Sequence, residues 1–264
     1  MARFKVGAQF HPQLTTIETL RRGWRAADSI GVDSIWTWDH FFPLYDGPDG
    51  PHFEGWTLLA AMACDTERAE FGMMVTCNSY RNPDLLADMA RTVDHLSGGR
   101  LILGIGAGWF RRDYEEYGYT FGTAPDRLGA LAAALPRIEA RLARLDPPPM
   151  RSPLPVLIGG GGEQVTLRLV AEHASMWNSF GPPETYARKN AVLDRWCERI
   201  GRDTAEIERT ILIEEDEVDR AEEFVEAGAR HLIVELGTKG ETPFDLAPVQ
   251  RLLERRGEPS GRSP

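Results

Sequence analysis

Apolar residues along this chain recur in two patterns that alternate from one end to the other. Short runs of β-branched, aliphatic and aromatic residues fall at FKVGAQF (4–10), SIWTW (34–38), EFGMMVT (70–76), RLILGIG (100–106), LPVLIGG (154–160), SMWNSF (175–180), RTILI (209–213) and HLIVEL (231–236). Each is short and continuous, the signature of a buried strand. Between them lie stretches with helical spacing of apolar positions: 15–30, 55–64, 84–96, 126–144, 163–172, 184–200, 217–228 and 247–255. In the first, Leu20, Trp24, Ala27 and Ile30 fall on one helical face.

Strands that alternate with helices pair in parallel through right-handed crossovers, and eight such units close into a (β/α)8 TIM barrel. A doubly wound open sheet is the alternative, but such sheets usually stop at fewer strands. The expectation is therefore a single barrel domain over 1–264. The proline-rich stretch DPPPMRSPLP (146–155) can neither continue a helix nor join a central ladder, so it reads as the connector between the fourth helix and the fifth strand. The tail RRGEPSGRSP (255–264) is expected to fray.

Composition changes this picture little, but it removes some functions. A formal charge of −10 over 264 residues disfavours a general affinity for nucleic acid or anionic membrane surfaces. Neither a leader-like apolar segment after the N-terminus nor a membrane-length apolar run is present, which leads us to expect a cytoplasmic protein. Cys64, Cys77 and Cys197 are too widely spaced for a disulfide framework or paired metal ligands. His11, His52, His95, His173 and His231 have no metal-ligand spacing, and neither HExxH nor a nucleophile elbow occurs, so no metal is expected. The acidic stretch IEEDEVDRAEE (213–223) reads as a solvated helix start, where acids complement the helix dipole.

In a barrel, chemistry is assembled just after the strands. Asp39 and His40 follow the second strand; Thr76, Cys77 and Asn78 the third; Gly106, Ala107, Gly108 and Trp109 the fourth; Gly159, Gly160, Gly161 and Gly162 the fifth; Trp177 and Asn178 the sixth. A histidine beside a carboxylate is a candidate proton donor or acceptor, with Asp39 expected to orient or polarise it or the edge of a bound ring; a helix cap beside a rim histidine is the plainer alternative. Four glycines between a strand and a helix let backbone amides approach a phosphate, whereas a tight turn capped by Glu163 would use them structurally. GIGAGW (104–109) imitates a dinucleotide fingerprint without its third glycine, and WFRRDYEEYGY after it reads as a loop. Trp38, Asn78, Trp109 and Trp177 are candidates for the substrate pocket.

GVDSIWTWDHFFP, EFGMMVTCNSYRNPDLLADMARTVDHLSGGRLILGIGAGWFRRDYEEYG and PVLIGGGGEQVTLRLVAEHASMWN together resemble the bacterial luciferase-like monooxygenase superfamily, and within it the oxidoreductases that use coenzyme F420. The likeness covers roughly residues 3–200. It implies a flavin or deazaflavin lying across the C-terminal mouth of the barrel. Asp39 and His40 match the family's strand-two pair, the histidine near the reactive part of the ring. Met73, Met74, Val75 and Thr76 match a strand-three bulge that often contains a non-prolyl cis peptide and supports the ring's face. Gly106, Ala107 and Gly108 match the strand-four approach to the cofactor, and Gly160, Gly161 and Gly162 the phosphate loop.

Two departures stand out. Trp109 occupies a position where some sugar-phosphate dehydrogenases of the group carry glutamate, and the segment 126–153 is shorter than the usual insertion. The resemblance implies an F420-dependent hydride transfer to or from a small organic substrate, with a homodimer as the only suggested partner. FMN-dependent monooxygenation, with reduced flavin from a partner reductase, is the alternative, and a barrel that binds a cofactor without turnover is a third.

Overall fold

A computed structural model describes residues 4–256, so most of the tail expected to fray lies outside the described residues. The strands are β1 (Lys5–Phe10), β2 (Ser34–Thr37), β3 (Glu70–Met73), β4 (Thr76–Cys77), β5 (Leu101–Gly106), β6 (Val156–Gly159), β7 (Met176–Ser179), β8 (Glu208–Ile213) and β9 (His231–Leu236). All neighbouring strands are parallel. The β1–β9 and β3–β5 pairings close the sheet into a ring. β3 and β4 are two halves of one stave, interrupted at Met74–Val75, whose peptide bond is cis. Among the described residues the barrel therefore has eight staves, one for each apolar run, and the TIM-barrel expectation holds.

The outer layer comprises α1 (Ile17–Ile30), α2 (Gly55–Asp65), α3 (Pro83–Ser97), α4 (Arg111–Tyr117), α5 (Ala124–Leu142), α6 (Thr166–His173), α7 (Pro183–Ile200), α8 (Ala221–Glu226) and α9 (Ala247–Arg255). Local chemistry sets their ends. Thr16 caps α1 by accepting from the Thr19 amide, and Gly31 ends it in the left-handed region. Asn82 and Pro83 start α3, and Gly98 stops it.

Two expectations need correction. The segment after β5 read as a loop, yet it holds α4; only Asp113 and Tyr114 of that helix are buried, so no apolar period marks it. The helix placed over 217–228 begins as a 3-10 turn, Glu215–Arg220, before α8.

Side chains alternate between two cores. Trp36, Met74, Ile102, Leu157, Met176 and Ile233 fill the barrel, while a larger cluster, including Trp24, Leu59, Phe71 and Trp177, packs strands against helices. Each such large apolar side chain contributes about 1.5–3 kcal/mol by burial. The N-terminal end of the barrel is closed by a polar chain. Trp36 Nε1 donates to Ser34 Oγ at 2.6 Å, Ser34 Oγ lies 2.8 Å from His231 Nε2, and His231 Nδ1 lies 2.7 Å from Glu208, which also accepts from Lys5.

Candidate active site

A cavity of about 750 Å³ opens at the C-terminal ends of the strands. Of the residues singled out from the sequence, Asp39, His40, Met74, Val75, Thr76, Gly106, Ala107, Gly108, Gly159 and Gly160 line it, as do Trp38 and Trp109. Trp109 and Phe180 stand at the rim, 63% and 68% exposed.

His40 is held from behind. Its Nδ1 lies 2.7 Å from Oδ2 of Asp113, a fully buried carboxylate that also accepts from the Phe41 amide (3.1 Å) and the Tyr80 hydroxyl (2.9 Å). Burial, with the Asp113 carboxylate beside it, pushes the Tyr80 phenol far above its ordinary value, so it stays a donor. Trp38, Trp109 and Phe110 meet the imidazole in edge-on geometry, with centroids 5.4–6.1 Å away. With Nδ1 committed to Asp113, Nε2 is the nitrogen available to a ligand.

Asp39 was expected to orient or polarise His40 or the ring edge; the hydrogen-bond partner of His40 is instead Asp113. The buried Asp39 carboxylate is held by Arg81 through two hydrogen bonds, 2.5 and 2.9 Å, and accepts from the Cys77 amide at 3.1 Å. Arg81 reaches on to Glu54 at 2.6 Å. Burial raises the Asp39 carboxyl to about 6, against the pull of Arg81 and the Cys77 amide. This group ties the strand-two end to the residues just after the cis peptide, so Asp39 positions the bulge and Asp113 positions the histidine.

The glycines also have a packing role. A Cβ on Gly106 would lie 2.8 Å from Val75 Cγ2, and one on Gly159 2.8 Å from Val75 Cγ1. Gly108, at φ +82°, would meet the Tyr114 hydroxyl and the Cys77 sulfur. These three glycines make room for the bulge and its neighbours.

Five residues expected at the site do not line the cavity. Met73 points outward into the strand–helix core beside Gly55, because alternate residues of a strand face opposite layers. Trp177, expected in the substrate pocket, also faces outward; it stacks on Tyr186 at 5.1 Å and donates to the Gly160 carbonyl, so its neighbour Asn178 lines the cavity instead. Asn78 is buried in the turn after β4. Gly161 packs under the amine of Lys189, and Gly162 against Thr166, both beyond the cavity wall. The start of α6 beside them has no side-chain cap, and Lys189 carries an amine lowered below its ordinary value by burial and by Arg188. Uncapped amides, close glycines and a lysine suit a phosphate at this edge.

Sequence reasoning missed Asp113, Arg81, Tyr80, Gln9 and Lys189. Each is remote in sequence from the residue it serves, and of the five only Gln9 stands in an apolar run, near the end of the first.

A parallel barrel whose polar residues converge on the C-terminal mouth has the architecture of an enzyme. The model of the luciferase-like monooxygenase family matches residues 1–259, and the chain belongs to this family of enzymes. It is 38% identical over 84 residues to an F420-dependent glucose-6-phosphate dehydrogenase of Amycolatopsis mediterranei, a match covering 31% of this chain and 25% of that protein. It is 27% identical over 241 residues to a phthiodiolone/phenolphthiodiolone dimycocerosates ketoreductase of Mycobacterium bovis, covering 76% and 62%. The matches thus span about a quarter of the first relative and 62% of the second. Among solved structures, the fold is similar to that of an F420-dependent secondary alcohol dehydrogenase in complex with an F420–acetone adduct (TM-score 0.82, 16% identity, covering 96% of this chain and 97% of that one). It is similar also to a monooxygenase from Streptomyces bottropensis (TM-score 0.73, 15% identity, covering 95% and 96%).

Proposed function

We propose that this chain is an F420-dependent oxidoreductase in which hydride passes between the deazaflavin and a small organic substrate, with His40 handling the accompanying proton. The observation that carries this reading is His40 itself, fixed at Nδ1 by buried Asp113 and open to the cavity at its other nitrogen. When bound, the deazaflavin supplies the hydride donor or acceptor. Met74, Val75 and Thr76 would support the ring, and Gly160, Gly161, Gly162, the α6 start and Lys189 would hold its phosphate. The cavity, the bulge and the uncapped helix start all fit such a group. His40 Nε2 holds or releases the proton at the substrate oxygen, while the rim aromatics keep water from the imidazole. A homodimer and a cytoplasmic location belong to the same reading.

The test is a titration of the purified protein with F420 and, separately, FMN, followed by cofactor and tryptophan fluorescence. F420 should bind at roughly micromolar concentration. FMN binding without F420 binding would turn the assignment to a flavin monooxygenase, and binding of neither would remove the redox function.

A further inference from the structure

Gln9, near the end of β1, is only 2% exposed, and half of its amide is used. Its Nε2 donates to the Met74 carbonyl at 3.1 Å, while Oε1 has no hydrogen-bond partner in the cavity wall it helps to form. The parallel register sets Gln9 beside Glu235 of β9, and residues paired in this way point to the same side of the sheet. Glu235 lines the cavity too; one of its oxygens lies 2.7 Å from His11 Nε2.

Glu214 and Glu217, just after β8, extend the same wall. Tyr45, Glu214 and Glu235 border a second recess of about 460 Å³, whose remaining walls are Glu215 and Asp216. Asp39 is neutralised by Arg81, but no lysine or arginine among the described residues lines either space. Trp38 and Tyr45, with ring centroids 6.0 Å apart, complete this side of the cavity.

We propose that Gln9, Glu235, Glu214 and Glu217, with the rings of Trp38 and Tyr45, form a subsite for a protonated amine, and that the substrate of this barrel is an amine-bearing organic molecule. Calling the ligand a substrate rests on the oxidoreductase reading; the binding preference does not. An ammonium group brings three donors to a wall of acceptors, including the unpaired Gln9 oxygen, and aromatic faces add to its attraction. A phosphate or carboxylate placed there would meet three carboxylates, of which only Glu217 has an arginine beside it, Arg220 at 3.9 Å and outside the cavity lining. Among the described residues no group of three or more histidine, cysteine, aspartate or glutamate side chains is arranged to hold a metal ion, so the cation that suits the wall is organic.

The experiment compares three probes of one shape, benzylamine, benzyl alcohol and benzoate, at pH 7.5, on protein carrying whichever of F420 or FMN it binds. Saturation-transfer NMR and tryptophan fluorescence read the binding. Benzylamine should bind at least about ten-fold more tightly than benzoate, with benzyl alcohol between them. The preference should fall to within about two-fold in Glu217→Gln/Glu235→Gln, and Gln9→Met should weaken benzylamine several-fold. Benzoate binding as tightly as benzylamine would overturn the proposal on the unaltered protein, without recourse to a variant. Survival of the preference in the double variant, or displacement of benzylamine by micromolar calcium, would overturn it too. An amine preference in a protein that binds neither cofactor would sink the oxidoreductase reading and leave the subsite standing.

Discussion

Oδ2 of Asp113 lies 2.7 Å from Nδ1 of His40, across 73 positions of sequence. An ionised carboxylate can only accept, so the neutral imidazole carries its proton on Nδ1 and presents a lone pair at Nε2. Asp113→Asn substitutes a group that can donate to Nδ1 and so favours the opposite tautomer. Turnover should fall by about 10²- to 10⁴-fold, with cofactor affinity nearly unchanged. His40→Ala should lose turnover to a similar degree. Steady-state kinetics beside a cofactor titration distinguishes this from general damage, and a kcat within about two-fold of the unaltered protein would remove Asp113 from the mechanism.

Asp39 and Arg81 make the complementary case, in which the charge pair serves structure. Arg81→Met leaves a buried carboxylate without its cation and should cost about 3–5 kcal/mol. Asp39→Asn/Arg81→Met removes both charges and should recover a large part of that loss. Urea unfolding of the four proteins in this cycle measures the coupling; additive losses would mean that the pair contributes nothing specific.

Three groups give stability a defined dependence on acid. Burial holds His52 down to about 4, and its neutral Nε2 accepts from Trp38 Nε1 at 3.0 Å. The unfolded chain therefore takes up the His52 proton first, and stability falls as pH drops from about 6.5 to about 4, by roughly 3 kcal/mol in full. Asp39 works the other way: its folded value near 6 lies above the unfolded one, so the native state binds the proton first and gains between about 6 and 4. Burial alone would raise Glu208, but His231 and Lys5 outweigh it and bring the carboxyl to about 2. Its stabilisation is present above about 4.5 and lost as pH falls toward 2. Stability should hence stay nearly level from pH 6.5 to 4.5 and collapse below. In His52→Gln the same range should show a gain on acidification, and urea midpoints at half-unit intervals would reveal it; an unchanged profile would mean that His52 titrates alike in both states.

Much of the barrel was legible because parallel strands covered on both faces must be continuously apolar, and all eight such runs became staves. The strand ends likewise marked His40, Asp39, Thr76 and Gly160 as cavity residues, and the family resemblance added Val75. What could not be read was parity and partnership. Asp39 and His40 are adjacent in sequence, yet successive residues of an extended chain point opposite ways, so one meets Arg81 and the other Asp113. The same parity sends Trp177 outward and Asn178 inward. Met73 and Met74 are one residue type in two different cores; the break between β3 and β4 was anticipated by the family resemblance of Met73 to Thr76, whereas the apolar pattern of GMMVT alone does not mark it. Glu214 and Glu217 read as a solvated helix start; the cavity wall they share with Gln9 and Glu235 brings together strands more than 200 positions apart.

Val75 offers a last test, of how the glycines act. Its two methyl groups occupy the space that side chains on Gly106 and Gly159 would need, each approach being 2.8 Å. Gly106→Ala should push the bulge toward the cavity, costing about 1–3 kcal/mol through overpacking and weakening cofactor binding. Val75→Ala alone removes two methyl groups beside the cavity and should cost less. Placed together, the two substitutions relieve the clash, so Gly106→Ala/Val75→Ala should be more stable than Gly106→Ala and should regain cofactor affinity. Thermal unfolding and fluorescence titration read both quantities. If the double variant is no better than Gly106→Ala, the glycine is needed for something other than Val75, and direct approach of the ring to the Gly106 backbone becomes the better account.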